Sequence, residues 1–147
     1  MKRRLVILEV VAPPLYWMIL AGSIWVLFTG HNEPGGGFIG GLLAGSASVL
    51  WAVAYGSRAA ERRLPLGDAI RLAALGVGMA AVSGLHALFG GDSFLTHAWG
   101  TLPLGFMDLT LSTVMMFDFG VYLSVWGGLA GYSLGLLGLE EVGEGSE

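Results

Sequence analysis

Asp118 is the residue in this sequence best placed to do chemistry. It sits in Met116-Phe117-Asp118-Phe119-Gly120, within an apolar run whose nearest other charges are Asp108 and Glu140. A carboxyl group at membrane depth is costly, so it either carries a cation or proton or hydrogen-bonds a neighbouring helix as glue. His86 lies near the end of the preceding apolar run. At a rise of ~1.5 Å per residue the two differ in depth by only ~5 Å, so a His86–Asp118 contact is expected and both are ion-path candidates. His31, Asn32 and Glu33 form a second polar cluster. It offers too few ligands for a metal site, which wants three or four at defined spacing, so no metal is expected. Glu9 is expected to pair with Arg3 or Arg4 or to reach the interface. Gly35-x-Gly37-x-x-Gly40 matches the dinucleotide fingerprint by letter. It follows an apolar run rather than a strand and has no following acidic ribose ligand, so no nucleotide cofactor is expected. The chain has no cysteine and no nucleophile turn beside a His/Asp pair, so no catalytic residue is assigned and the chain does not read as an enzyme.

The elements that must position these groups are apolar. Of 147 residues, 54% are hydrophobic and 12% charged, and the mean hydropathy of +0.72 exceeds that of a soluble core. The chain therefore reads as an integral membrane protein, all-α, with a single membrane domain over residues 1–139 and an acidic tail at 140–147 that frays. The basic N-terminus reads as part of a retained membrane segment, because no cleavage site follows it. Its charges are segregated along the chain, which does not suit a nucleic-acid partner.

Four spans are predicted, at about 13–29, 38–55, 69–89 and 111–139. Pro13-Pro14 leaves two readings of the first, one long kinked helix or an interfacial piece followed by a span starting at Pro13, and the second is the expectation. Between spans one and two, residues 30–41 hold six of the 25 glycines, and Pro34 followed by Gly35, Gly36 and Gly37 breaks any helix there. Residues 90–110 form a long connection expected to lie along the interface or against an assembly. All seven basic residues precede the first span or cluster around the second loop, so both termini and the 56–68 loop are predicted to be cytoplasmic.

Small residues recur every four positions: Gly37, Gly41 and Gly45 beside Gly36, Gly40, Ala44 and Ser48; then Gly76, Ala80 and Gly84; then Gly127, Gly131 and Gly135. Such faces let backbones approach closely in lipid. Three of them exceed what a four-helix bundle requires, so docking onto other membrane subunits is expected in addition to internal packing.

Gly30-His31-Asn32-Glu33-Pro34-Gly35-Gly36-Gly37-Phe38-Ile39-Gly40-Gly41 resembles the signature of the MnhB/MrpB family, one of the small components of multisubunit monovalent cation/proton antiporters. Phe117-Asp118-Phe119-Gly120-Val121-Tyr122-Leu123 resembles that family's motif in the last span. The resemblance implies a small multi-pass subunit of the cell membrane, partnered by large antiporter-like subunits and other small ones. The complex would exchange Na+ for H+, and this chain would not transport alone. It also implies that His31, Asn32, Pro34, Gly35, Gly36, Gly37 and Phe38 shape a helix-opening turn against neighbouring subunits, with Gly30, Gly40, Gly41, Phe117 and Gly120 completing the motifs. Asp118 would lie in or near a polar path. Two alternatives stay open: the equivalent subunit of a membrane-bound hydrogenase or related respiratory complex, and a stand-alone four-span scaffold or channel.

Overall fold

The computed structural model describes residues 6–29, 35–89, 99–103 and 108–143. Among them α1 runs Val6–Thr29, α2 Gly36–Tyr55, the short α3 Ser57–Glu61, α4 Ala69–Phe89 and α5 Thr113–Gly143. Strands β1, Trp99–Pro103, and β2, Asp108–Ser112, pair antiparallel with Trp99 opposite Ser112 and Pro103 opposite Asp108.

The helical expectation holds for the long apolar runs, and the hairpin amends it. Residues 111 and 112 belong to β2 rather than to the last helix, and α5 starts at Thr113. The strand signal is local: Asp108-Leu-Thr-Leu-Ser alternates polar and apolar residues, the period of a strand. At its other end α5 continues to Gly143, through part of the segment expected to fray. No proline interrupts it there, and a helix can run past its apolar stretch into water.

Of the two readings of the N-terminal segment, the structure takes the single helix, with Pro13 and Pro14 inside α1. Pro13 has no N–H to give the carbonyl of Glu9, four residues earlier. That carbonyl instead accepts a hydrogen bond from the Tyr55 hydroxyl at the end of α2. A neighbouring helix thus satisfies the backbone group that Pro13 frees, as apolar surroundings favour. Tyr55→Phe is expected to cost about 1 kcal/mol of stability. The cost should vanish in a Pro13→Ala background, a double-mutant cycle readable by thermal unfolding of the purified protein.

Among the described residues three helices are long and apolar enough to cross a membrane: Ile7–Thr29, Gly36–Tyr55 and Met115–Leu139. In α4 the apolar stretch is shorter, Ala69–Leu85. Contacts fix the relative directions. Tyr16 meets Trp51 and Glu9 meets Tyr55, so α1 and α2 are antiparallel. The α2 glycines 37, 41 and 45 meet Asp118, Tyr122 and Leu129 in rising order, so α2 and α5 are parallel. Gly76 meets Gly120 and Ser124 whereas Gly127 meets Ala69 and Ala73, so α4 and α5 are antiparallel. α5 is therefore the central helix, with α2 on one side and α4 on the other, and α1 lies against α2. The core between them holds Tyr16, Trp51, Leu72, Tyr122, Trp126 and Leu134.

Gly56 ends α2 at φ 95°, a left-handed conformation that glycine adopts without strain. The chain then turns through α3 and re-enters the bundle at Asp68. There the Asp68 carboxylate accepts hydrogen bonds from the backbone N–H groups of Ile70 (2.7 Å) and Arg71 (3.1 Å), capping α4.

Candidate functional site

The two stretches that stand out in the sequence meet in space. Asp118, in the second turn of α5, lies against the opening turn of α2. A Cβ placed on Gly35 would sit 3.1 Å from the Asp118 Oδ1, and one placed on Gly37 would overlap the Asp118 carbonyl oxygen. Gly36 and Gly37 are buried, and Asp118 is half-buried. The glycine run therefore has a steric cause: α5 comes so close at Asp118 that no side chain fits between the backbones. The run opens a helix, whose free N–H groups and dipole favour a negative charge within the first turn. A carboxylate beside that turn is held where its charge is best tolerated at this depth.

Two further polar contacts continue down the same face of α5, at intervals of four residues. The Ser23 hydroxyl donates to the Leu20 carbonyl (2.7 Å), so across the 3.0 Å contact between Ser23 and Tyr122 the tyrosine hydroxyl donates. One turn lower, Ser48 donates to the Ala44 carbonyl (3.1 Å) and accepts from the Trp126 Nε1–H at 2.8 Å. Gly40 makes room for the upper rung, since a Cβ there would lie 2.8 Å from the Ser23 carbonyl oxygen and 3.1 Å from the Tyr122 ring. These rungs register α1, α2 and α5. They do not form a proton wire, because an indole N–H donates only and has no lone pair with which to receive a proton. The face below Asp118 is therefore closed to proton hopping along these side chains. Tyr122→Phe is expected to cost about 0.6–2 kcal/mol, the range for interhelical hydrogen bonds in lipid. It should lower the midpoint of thermal unfolding of the purified protein.

The opposite side of α5 is plain packing. Gly120 faces α4, where a Cβ would lie 2.6 Å from the Ala80 nitrogen, and Gly127 admits the backbone at Ala69 and Ala73. Gly120 is thus a contact with α4 rather than part of the Asp118 cluster. Of the small faces from which docking is expected, 37/41/45, 76/80 and 127 are consumed inside the chain. Gly135 has open space around it, as do Gly22, Gly78 and Gly128. Phe38 is 45% exposed and Phe117 is half-buried.

Gly30, His31, Asn32, Glu33 and Pro34 lie outside the described residues, as do Arg3 and Arg4, the expected partners of Glu9. His86 falls in the last turns of α4, but its side chain lies outside what the structure describes. Among the described residues no group of three or more His, Asp or Glu is placed to hold a metal ion. Sequence reasoning missed the Ser23–Tyr122 and Ser48–Trp126 rungs. Their signal was present in the spacing, since 118, 122 and 126 share one face of a helix and Ser48 belongs to the small stripe of α2.

Comparison with known proteins places these features in context. Residues 7–131 match the family described as "Domain related to MnhB subunit of Na+/H+ antiporter". The chain is 38% identical over 122 residues to the B-type Na(+)/H(+) antiporter subunit of Bacillus subtilis (strain 168), covering 82% of this chain and 85% of that protein. It is 35% identical over 128 residues to the protein of the same name from Alkalihalophilus pseudofirmus, covering 86% and 88% respectively. Among solved structures it resembles part of the Mrp complex from Dietzia sp. DQ12-45-1b, with a TM-score of 0.69 and 36% identity. That match covers 88% of this chain and spans 14% of the matched chain of the complex.

Proposed function

The chain belongs to the MnhB family, and from that membership we infer that it is the MnhB-type subunit of a multisubunit Na+/H+ antiporter, working among other membrane subunits. The observation that carries a specific role is the junction of Asp118 with the opening turn of α2. It joins the two motifs that carry the family resemblance, which supports their acting as one unit. In this reading the chain contributes assembly and one membrane-embedded acid to the complex, and does not transport alone. It performs no chemical conversion of its own.

Four spans in the cell membrane, with both termini cytoplasmic, are the reading of the topology. The alternation of helix directions supports it, since α1 and α4 run one way and α2 and α5 the other, as successive spans must. With 21 residues α4 reaches about 31 Å, enough for a ~30 Å hydrocarbon core. Arg58, Arg62, Arg63 and Arg71 all follow the C-terminal end of α2 or open α4, the end at which α1 also begins. Their clustering supports a cytoplasmic placement of that end. Asp118 and the glycine turn then lie towards the outer face.

The experiment is purification of the native complex through a tag on this chain, identification of the co-purifying subunits, and cation-dependent proton flux in vesicles. Antiporter-like partners with Na+-dependent flux are expected. An iron–sulfur or nickel subunit in the preparation would instead assign the chain to a redox-coupled complex. Recovery of the chain alone as a defined oligomer would remove the reading altogether.

A further inference from the structure

At the cytoplasmic end of the bundle, Arg63 is held on an aromatic platform. Its guanidinium carbon lies 3.7 Å from the centroid of the Trp51 ring and 5.8 Å from that of Tyr16. The platform is itself braced. Tyr16 meets Trp51 edge to face at 5.2 Å, and Tyr55 stacks on Trp51 at 4.5 Å. Tyr16 and Trp51 are buried, at 3% and 8% exposure, while Arg63 is exposed. One face of the guanidinium is thus occupied by π-systems, and its N–H edges remain for a ligand.

Charge around the site points to an anion. Arg58, Arg62 and Arg63 fall within six residues and are all exposed, with Glu61 the one acid among them. Among the described residues the one ion pair is Arg71 with Asp68, at 3.6 Å, so no described carboxylate pairs with these three arginines. Depth narrows the choice of anion. Arg63 lies over the last turns of α2 and beside α1, at a level marked by tryptophan and tyrosine as membrane–water interfaces are. Val10 and Val53, near the same level, are 69% and 55% exposed, an apolar surface suited to acyl chains.

We propose that Arg63, stacked on Trp51 and Tyr16, binds the phosphate of an anionic phospholipid in the cytoplasmic leaflet, with Arg58 and Arg62 adding to the local positive field. A guanidinium matches a phosphate with two parallel N–H donors, and stacking fixes the fork before the lipid arrives. Juxtamembrane arginines gain from the anionic lipid surface in the same sense. The inference rests on the bundle crossing a bilayer with its arginine-bearing end in the cytoplasm and stands apart from the antiport reading, which its failure would leave untouched.

The test is native mass spectrometry of the delipidated complex titrated with phosphatidylglycerol and, as the neutral reference, phosphatidylcholine. Arg63→Gln is expected to weaken phosphatidylglycerol binding about 5-fold, the factor corresponding to one interfacial cation, with phosphatidylcholine unaffected. Arg71→Gln, which removes an arginine already paired, should match the parent. Unchanged phosphatidylglycerol affinity in Arg63→Gln would overturn the proposal. So would loss of a neighbouring subunit from that variant, which would assign the platform to a protein surface. Where Arg63→Gln is not recovered, Arg63→Lys keeps the charge without the stacked fork, and parental affinity there would overturn it equally.

Discussion

Gly37→Ala is expected to abolish assembly of the complex, whereas Gly22→Ala, Gly78→Ala and Gly128→Ala should leave it at the parental level. In the interior of a helix alanine is ordinarily better than glycine by about 1 kcal/mol, so the three control substitutions are expected to be neutral or mildly stabilising. Their added methyl groups meet nothing of this chain within 4 Å. At Gly37 the methyl group would occupy the position of the Asp118 carbonyl oxygen. Both partners in that collision are helix backbone, and neither can rotate out of the way. Relief requires α2 and α5 to separate. Separation also loosens Gly41, where a Cβ would lie 2.8 Å from the Tyr122 carbonyl oxygen, and the Tyr122–Ser23 contact of 3.0 Å. Overpacking a well-fitted interface costs typically about 1–3 kcal/mol, with backbone clashes above that range. Native electrophoresis of membranes carrying a tagged chain reads the outcome directly. A full-sized complex from Gly37→Ala would show that the contact tolerates a side chain, and the steric account of the glycine run would fail.

The sequence made both halves of that contact conspicuous and held no direct sign that they touch. Asp118 stands out by the cost of its burial, and Gly35, Gly36 and Gly37 by their effect on a helix. Each is a local property. Their meeting depends on the register of α5 against α2 across some eighty residues of chain, and nothing local specifies it. The same limit explains the small-residue faces. Spacing at four residues identifies which positions permit close approach, but not that Gly76 and Gly127 are taken up by Gly120 and by Ala69 and Ala73 within the same chain. Pro13 is the converse case. Read alone it argues for a helix boundary, and the carbonyl it frees is taken up by the hydroxyl of Tyr55, arriving on another helix. The Arg63 platform is likewise invisible as a site in the sequence, because it draws Tyr16, Trp51 and Arg63 from three separate segments. What the sequence did carry to the fold was helix-scale: apolar length, the clustering of Arg58, Arg62, Arg63 and Arg71 at one end, and a new helix opening within the glycine run at Gly36.

Asp118→Asn separates the two roles open to the acid, and the expected result is an assembled complex with little transport. The amide has nearly the shape of the carboxylate, so it fits beside Gly35, where even a Cβ on the glycine would lie 3.1 Å from the Asp118 Oδ1. Loss of the charge forfeits its attraction to the opening turn of α2, worth about 0.3–1 kcal/mol at a helix end. That is small against the packing of α5 on both α2 and α4, and assembly should persist. An amide cannot bind and release a proton in the working pH range, nor neutralise a cation. If the polar path of the complex passes Asp118, Na+-dependent proton flux should fall on the order of 100-fold, the low end of what a positioned proton-transferring group contributes. Parental flux in the assembled Asp118→Asn complex would reduce the acid to glue between helices. Loss of assembly would show instead that its charge is part of the joint. The rungs beneath it sharpen the interpretation: Trp126 and Ser48 already use their donors within the bundle. Relay of a proton down these rungs is blocked at the Trp126 indole, so Tyr122→Phe and Trp126→Phe should lower stability without reproducing the flux defect.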